Sequence, residues 1–165
     1  AAVHGTFPKL KHLDLDGSLT TRGANGEHLG IELLCRAYAA EVFPRLVQLN
    51  LASNKIECAE AQTLIRALRK SKCGTDVLEI FHLEDNRLGD ASVELLADGV
   101  LAKLEVLRLN SNMITDVGMM AIVNGKWAKL DRLYVQNNLF NDEAIEALSD
   151  AIALGKGRHG AAWIT

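Results

Sequence analysis

One spacing recurs along this chain and limits what it can fold into. At 104–116, LEVLRLNSNMITD, apolar residues stand at Leu104, Leu107, Leu109 and Ile114, with Asn112 among them. Leu130, Leu133, Val135, Asn138 and Phe140 repeat the pattern 26 residues later, and Leu78, Phe81, Leu83, Asn86 and Leu88 precede it by 26. Leu46, Leu49, Leu51, Asn54 and Ile56 carry it further upstream, and Leu10, Leu13 and Leu15 begin an imperfect copy. Self-similarity at such a period marks a repeat array, in which each unit buries its apolar face against its neighbours. The starts near 10, 46, 78, 104 and 130 make residues 1–165 one domain of about five repeats.

Each repeat divides into strand, turn and helix. Leu13 and Leu15, Leu49 and Leu51, Phe81 and Leu83, Leu107 and Leu109, and Leu133 and Val135 alternate with more polar residues. Period-two alternation over so few positions predicts a short strand with one buried face. Successive strands that follow a crossover run the same way, so a parallel sheet with right-handed connections is expected. Ahead of the strands, Phe7, Phe43, Leu101 and Trp127 occupy one slot, read as a core position; Pro8 and Pro44 beside it favour extended backbone.

The turns carry Asn54, Asn86, Asn112 and Asn138. An Asn side chain has two donors and an acceptor, so stacked Asn residues can satisfy the buried turn of their own and a neighbouring coil. Ser18 holds this place in the first repeat and offers fewer bonds, which predicts the least regular coil there. Asp90, Asp116 and Asp142 come four residues after an Asn, each ahead of a helical pattern. Their recurrence favours helix N-capping over a catalytic carboxylate. Cys58 stands in that slot in the second repeat and caps poorly; a functional thiol is the rival, less favoured reading. Apolar spacing predicts helices around Ala61, Leu64, Ile65 and Leu68, and around Leu29, Leu33, Leu34 and Ala37. Within the last residues, GKGRHGAAWIT, the segment GKGRHG at 155–160 reads as a flexible connection. Then comes a truncated sixth strand with Ala162 and Ile164 inward, preferred to a cap made by Trp163. The chain is accordingly expected to be a piece of a longer array.

Composition removes several function classes. A net charge of -3 and a pI near 6.0 argue against nucleic acid, which calls for a basic face. No apolar run reaches the roughly 18–20 residues of a membrane span, and residues 1–14 lack the continuous apolar core of a signal peptide. Cys35, Cys58 and Cys73 have no metal-binding or disulfide spacing and suit a reducing, intracellular compartment, expected to be the cytoplasm. No nucleophile motif, phosphate loop or paired-carboxylate pattern is present, so no catalytic residue and no cofactor is assigned.

LxxLxLxxNxL followed by DxG and an amphipathic helix resembles the leucine-rich repeat, in its ribonuclease-inhibitor-like intracellular form. Residues 104–123 carry the fullest version, with Asp116 and Gly118 both in place, and the resemblance covers about residues 7–154. It implies an α/β solenoid shaped as a curved horseshoe segment, with parallel strands on the concave face and helices on the convex one. The repeats depart from the family pattern at Ser18 and Cys58. They also carry insertions after Asp16 and around residues 70–77, which stretch the first spacings to 36 and 32 residues.

On that reading the residues between the inward pairs line the concave face in three rows. His12, Gln48, Ile80, Val106 and Arg132 form one row, and Asp14, Asn50, His82, Arg108 and Tyr134 the next. Asp16, Ala52, Glu84, Asn110 and Gln136 form the third, with Ile80, Val106 and Ala52 leaving the middle partly apolar. The face is acidic through Asp14, Asp16, Glu84 and Asp85 and turns basic through Arg108 and Arg132. His12, Asp14 and Asp16 invite a metal site, but same-face neighbours about 6.6 Å apart do not converge on one ion. The expected function is a non-enzymatic module holding a partner protein along this face. Its contacts are Asp14, Asn50, His82, Glu84, Arg108, Asn110, Arg132, Tyr134 and Gln136, with Arg108, Arg132 and Tyr134 as anchors. The alternatives are a regulatory domain acting on a small GTPase, as some intracellular members of the family do, and an architectural segment of a larger receptor or scaffold.

Overall fold

The computed structural model describes residues 5–153. Five three-residue strands alternate with helices: β1 (His12–Asp14), α1 (Leu29–Ala39), β2 (Gln48–Asn50), α2 (Cys58–Lys70), α3 (Lys72–Thr75), β3 (Ile80–His82), α4 (Asp90–Ala97), β4 (Val106–Arg108), α5 (Asp116–Val123), β5 (Arg132–Tyr134) and α6 (Asp142–Ala153). The strands make one open parallel sheet in the order β1-β2-β3-β4-β5. Pairing continues past each strand: Leu51 N donates to His82 O, Leu83 N to Arg108 O and Leu109 N to Tyr134 O. The helices stack in the same sequence, α1 on α2, α2 on α4, α4 on α5 and α5 on α6, and their buried residues share one core with the inward residues of the strands.

The expected inward residues meet there. Leu49, Leu51, Phe81, Leu83, Leu107, Leu109, Leu133 and Val135 are all buried, as are Phe43 and Leu101 from the slot before the strand. Leu13 and Leu15 are only half-buried, and Phe7, expected in the core, is 59% exposed and stacks on Phe43 with ring centroids 6.2 Å apart. Ala61, Leu64, Ile65 and Leu68 of α2 are buried as their spacing requires. In α1 the buried stripe is Ile31, Leu34, Ala37 and Tyr38, whereas Leu33 is 58% exposed. Leu34 and Ala37 lie where the spacing places them, and Ile31 and Tyr38, not Leu33, complete the stripe.

The asparagines hold the turns together. Asn112 Oδ1 accepts from Leu88 N of the preceding coil, while its Nδ2 donates to Leu83 O, Leu109 O and Asn110 O. Asn138 makes the same bonds one coil on, to Ile114 N and to Leu109 O, Val135 O and Gln136 O. Asn86 receives from both Asn54 N and Ile56 N. Asn54 meets Leu19 N, one residue earlier than the rule, and Ser18 donates its hydroxyl to Asp16 O within its own turn. Just before each of these positions the chain takes a left-handed residue: Gly17, Ser53, Asp85, Ser111 and Asn137, with φ between 53° and 58°. Small polar residues and glycine tolerate that region best, which explains their recurrence.

The aspartates do not cap the helices they precede. Helix α5 is capped by Thr115 Oγ1, which accepts from Val117 N, and α6 by Asn141 Oδ1, which accepts from Ala144 N. Asp90, at the first position of α4, reaches to the next coil. Its Oδ1 accepts from Thr115 N (2.8 Å) and Gly118 N (3.0 Å), and its Oδ2 accepts from Thr115 Oγ1 (2.7 Å). Asp116 likewise takes Asn141 N and Nδ2. Each carboxylate thus neutralises the N-terminal dipole of the following helix and ties two coils together. Gly118 is required by that contact, since a Cβ there would lie 2.5 Å from Asp90 Oδ1.

The two insertions are fastened differently. In the first, Arg22 pairs with Glu60, donates to Lys55 O and bridges His28, whose Nε2 lies 3.2 Å from Asn54 O. In the second, α3 is anchored by Glu41, whose carboxylate accepts from Lys72 N, Cys73 N and the Cys73 thiol. Burial and the Glu41 bond push the Cys73 thiol up to about 11. The expectations for Ala162, Trp163 and Ile164 lie outside the described residues.

Candidate functional site

The face of the sheet away from the helices carries the three expected rows. The register pairs His12 with Gln48, Ile80, Val106 and Arg132 in turn, and Asp14 with Asn50, His82, Arg108 and Tyr134. Residues of the third row follow the strands, with Ser53 N bonded to Glu84 O, Asp85 N to Asn110 O and Ser111 N to Gln136 O. Adjacent strands lie about 4.8 Å apart, so neighbours in a row touch or nearly touch.

The β1 end is acidic and internally bonded. Asp14 Oδ1 accepts from Asn50 Nδ2 and from Asp16 N, both at 3.0 Å, and His12 Nδ1 faces Gln48 Oε1 at 3.1 Å. In the centre, His82 Nδ1 lies 3.6 Å from Glu84 Oε1, and both side chains are largely covered. Burial lowers the His82 pKa, opposed by the Glu84 carboxylate, assisted by the Arg108 guanidinium and opposed again by Asp14. At the β5 end the Arg108 guanidinium lies 4.6 Å from the centroid of the Tyr134 ring, and Arg132 stands exposed on the next strand beside Asp131. The stack orders two large side chains on this face.

Three polar atoms in this region are covered and make no hydrogen bond among the described residues: Glu84 Oε2, Arg108 Nε and Asn110 Oδ1. Such atoms are costly to bury without a partner. The apolar middle differs from expectation: Val106 and Ala52 are buried and Ile80 half-buried, because short side chains sit below the longer ones in neighbouring rows. Asp85 belongs to the left-handed turn, not to a row. Among the described residues no group of three or more His, Cys, Asp or Glu side chains could hold a metal ion, and no helix is long and apolar enough to cross a membrane.

Cys58 occupies the slot of the inter-coil aspartates. Burial pushes its thiol up, but bonds from Gln62 Nε2 (3.5 Å), the Gly89 N–H and Ser92 bring it below the ordinary 9.0. Gly89 and Ser92 correspond to Thr115 and Gly118, the residues that Asp90 meets one coil later. The thiol therefore replaces a carboxylate as a link between coils. Sequence spacing exposed the slot but not its partner, since the partner lies on the next repeat.

A family model described as Leucine Rich repeat matches residues 100–123, the segment holding β4, Asn112 and α5. No curated protein matches the chain significantly. The match supports a leucine-rich repeat protein, and such repeats serve in general as protein-interaction modules.

Proposed function

We propose that residues 1–165 form a single leucine-rich-repeat domain of the ribonuclease-inhibitor-like form, acting without catalysis to hold a partner protein along a concave strand face. Helices about 8–10 Å across stacked behind strands about 4.8 Å apart make the sheet curve with its open face inside. Full helices of 8 to 13 residues behind all five strands support the subtype. Three free cysteines suit a reducing, intracellular setting.

The contact set is Asp14, Asn50, His82, Glu84, Arg108, Asn110, Arg132, Tyr134 and Gln136. One observation carries the assignment: Arg108 is already stacked on Tyr134 of the strand that also carries exposed Arg132, and ordered Arg and Tyr side chains are frequent interface anchors. Replacing Arg108, Arg132 and Tyr134 together by Ala weakens capture of the partner from extract by roughly a hundredfold, with the fold intact by circular dichroism. Unchanged capture by the folded variant overturns the assignment.

A further inference from the structure

Six large apolar side chains are exposed among the described residues, and four of them, Met113 (52%), Val117 (59%), Met120 (42%) and Leu139 (62%), belong to the outer edge of the fourth and fifth coils. Met113 and Leu139 hold the same slot, directly after the turn asparagine, on successive coils. Those edges are in register, since Met113 N donates to Leu88 O and Leu139 N to Ile114 O. Val117 and Met120 lie one helical turn apart at the start of α5. Earlier coils fill these slots with polar or small residues: Lys55 and Arg87 for Met113, Ala59 and Ala91 for Val117, Gln62 and Glu94 for Met120. The repeat plan therefore does not require an apolar edge, and this one is local to α5 and its flanks.

Beside it runs a cleft of about 260 Å³ lined by Asp116, Met120, Asn141, Glu143 and Ala144. Its lining joins the apolar Met120 and Ala144 to the carboxylates of Asp116 and Glu143, a setting for the aliphatic stem and charged head of a Lys or Arg. Asp142 and Glu146 add negative charge on the α6 side, while Arg87, 3.8 Å from Glu57, bounds the patch on the other. We propose that this edge is a second docking surface, separate from the strand face, for an amphipathic helix of a partner whose apolar stripe covers Met113, Val117 and Leu139 and whose flanking Lys or Arg enters the cleft. Methionine suits such a site because its unbranched thioether repacks around different apolar side chains.

The chain's three methionines provide the test, because Met119 is fully buried and serves as an internal control. The full chain, labelled at its methionine methyls, is titrated with an amphipathic Leu/Lys peptide of about four helical turns. Two further peptides are compared with it, one with Glu for Lys and one with the same residues shuffled. The proposal expects saturable shifts of the Met113 and Met120 methyls with Met119 unmoved. It expects the Glu and shuffled peptides to bind at least roughly tenfold more weakly, a similar loss in Val117→Glu, and no loss in Arg132→Ala. Absent shifts, or equal binding of the Glu peptide, overturn it. Methyl shifts that track protein concentration without peptide overturn it in favour of contact between two copies. Arg132→Ala separates this surface from the strand face, so either reading can fail alone.

Discussion

The first two coils and the last three share one plan but are joined by different chemistry. From Asp90 onward each coil is linked to the next by the turn asparagine and by a carboxylate on the following helix terminus, and the spacing holds at 26 residues. Earlier, the carboxylate gives way to Cys58, the asparagine to Ser18, and the spacing stretches. There the insertions supply the missing links, through Arg22 on Glu60 and Lys55 and through Glu41 on α3. A repeat can therefore lose its regular fastening when an added loop provides another.

The largest test of this contrast is Asn112→Leu. It removes four hydrogen bonds and leaves Leu88 N unpaired in the interior, while Leu83 O, Leu109 O and Asn110 O each keep another donor, so urea unfolding is expected to register a loss of about 1–3 kcal/mol. A loss equal to that of Ser18→Ala contradicts the ladder. Next comes the carboxylate link. Asp90→Ala is expected to cost about 2 kcal/mol and Cys58→Ala clearly less, while Cys58→Asp gains up to about 1 kcal/mol by restoring the slot. Equal costs for Asp90→Ala and Cys58→Ala erase the distinction between the two halves. Gly118→Ala isolates the same contact by sign: alanine favours a helix by about 1 kcal/mol, yet its Cβ displaces Asp90, so a net loss is expected in thermal unfolding.

The smallest effect is pH-dependent. His82 binds a proton less readily in the fold than in the unfolded chain, because burial and Arg108 outweigh Glu84 and Asp14. The unfolded state then takes up more protons, so its share of stability is present above the ordinary 6.5 and is lost as pH falls through that value toward the folded one. The midpoint of thermal unfolding is expected to drop more between pH 7 and 5.5 in the native chain than in His82→Gln. An identical drop in both removes His82 from the account.

Much of this plan was legible in the sequence because it depends on periodicity. Leu107 and Leu109 mark the inward face by alternation, and Asn112 is identified by being the one polar residue in an apolar frame. The direction of the Asp90 contact was not legible, since chain order places Asp90 next to α4 while stacking places it against α5. Leu33 misled because a leucine at helical spacing looks the same whether it faces the core or solvent. The exposed edge at Met113 and Leu139 was hidden for the same reason. The left-handed turn left a readable trace in Gly17, Ser53, Asp85, Ser111 and Asn137, a slot of small polar residues that alternation does not highlight. On the open face the sequence ordered the rows, but the Arg108–Tyr134 stack depends on rotamers that no spacing encodes.

The claim that the strand face holds a partner is tested most directly by a photo-crosslinking residue placed at Tyr134 and, separately, at Arg66 on α2. The account predicts a covalent adduct with the partner from position 134 and none from position 66. An adduct from position 66 alone contradicts it.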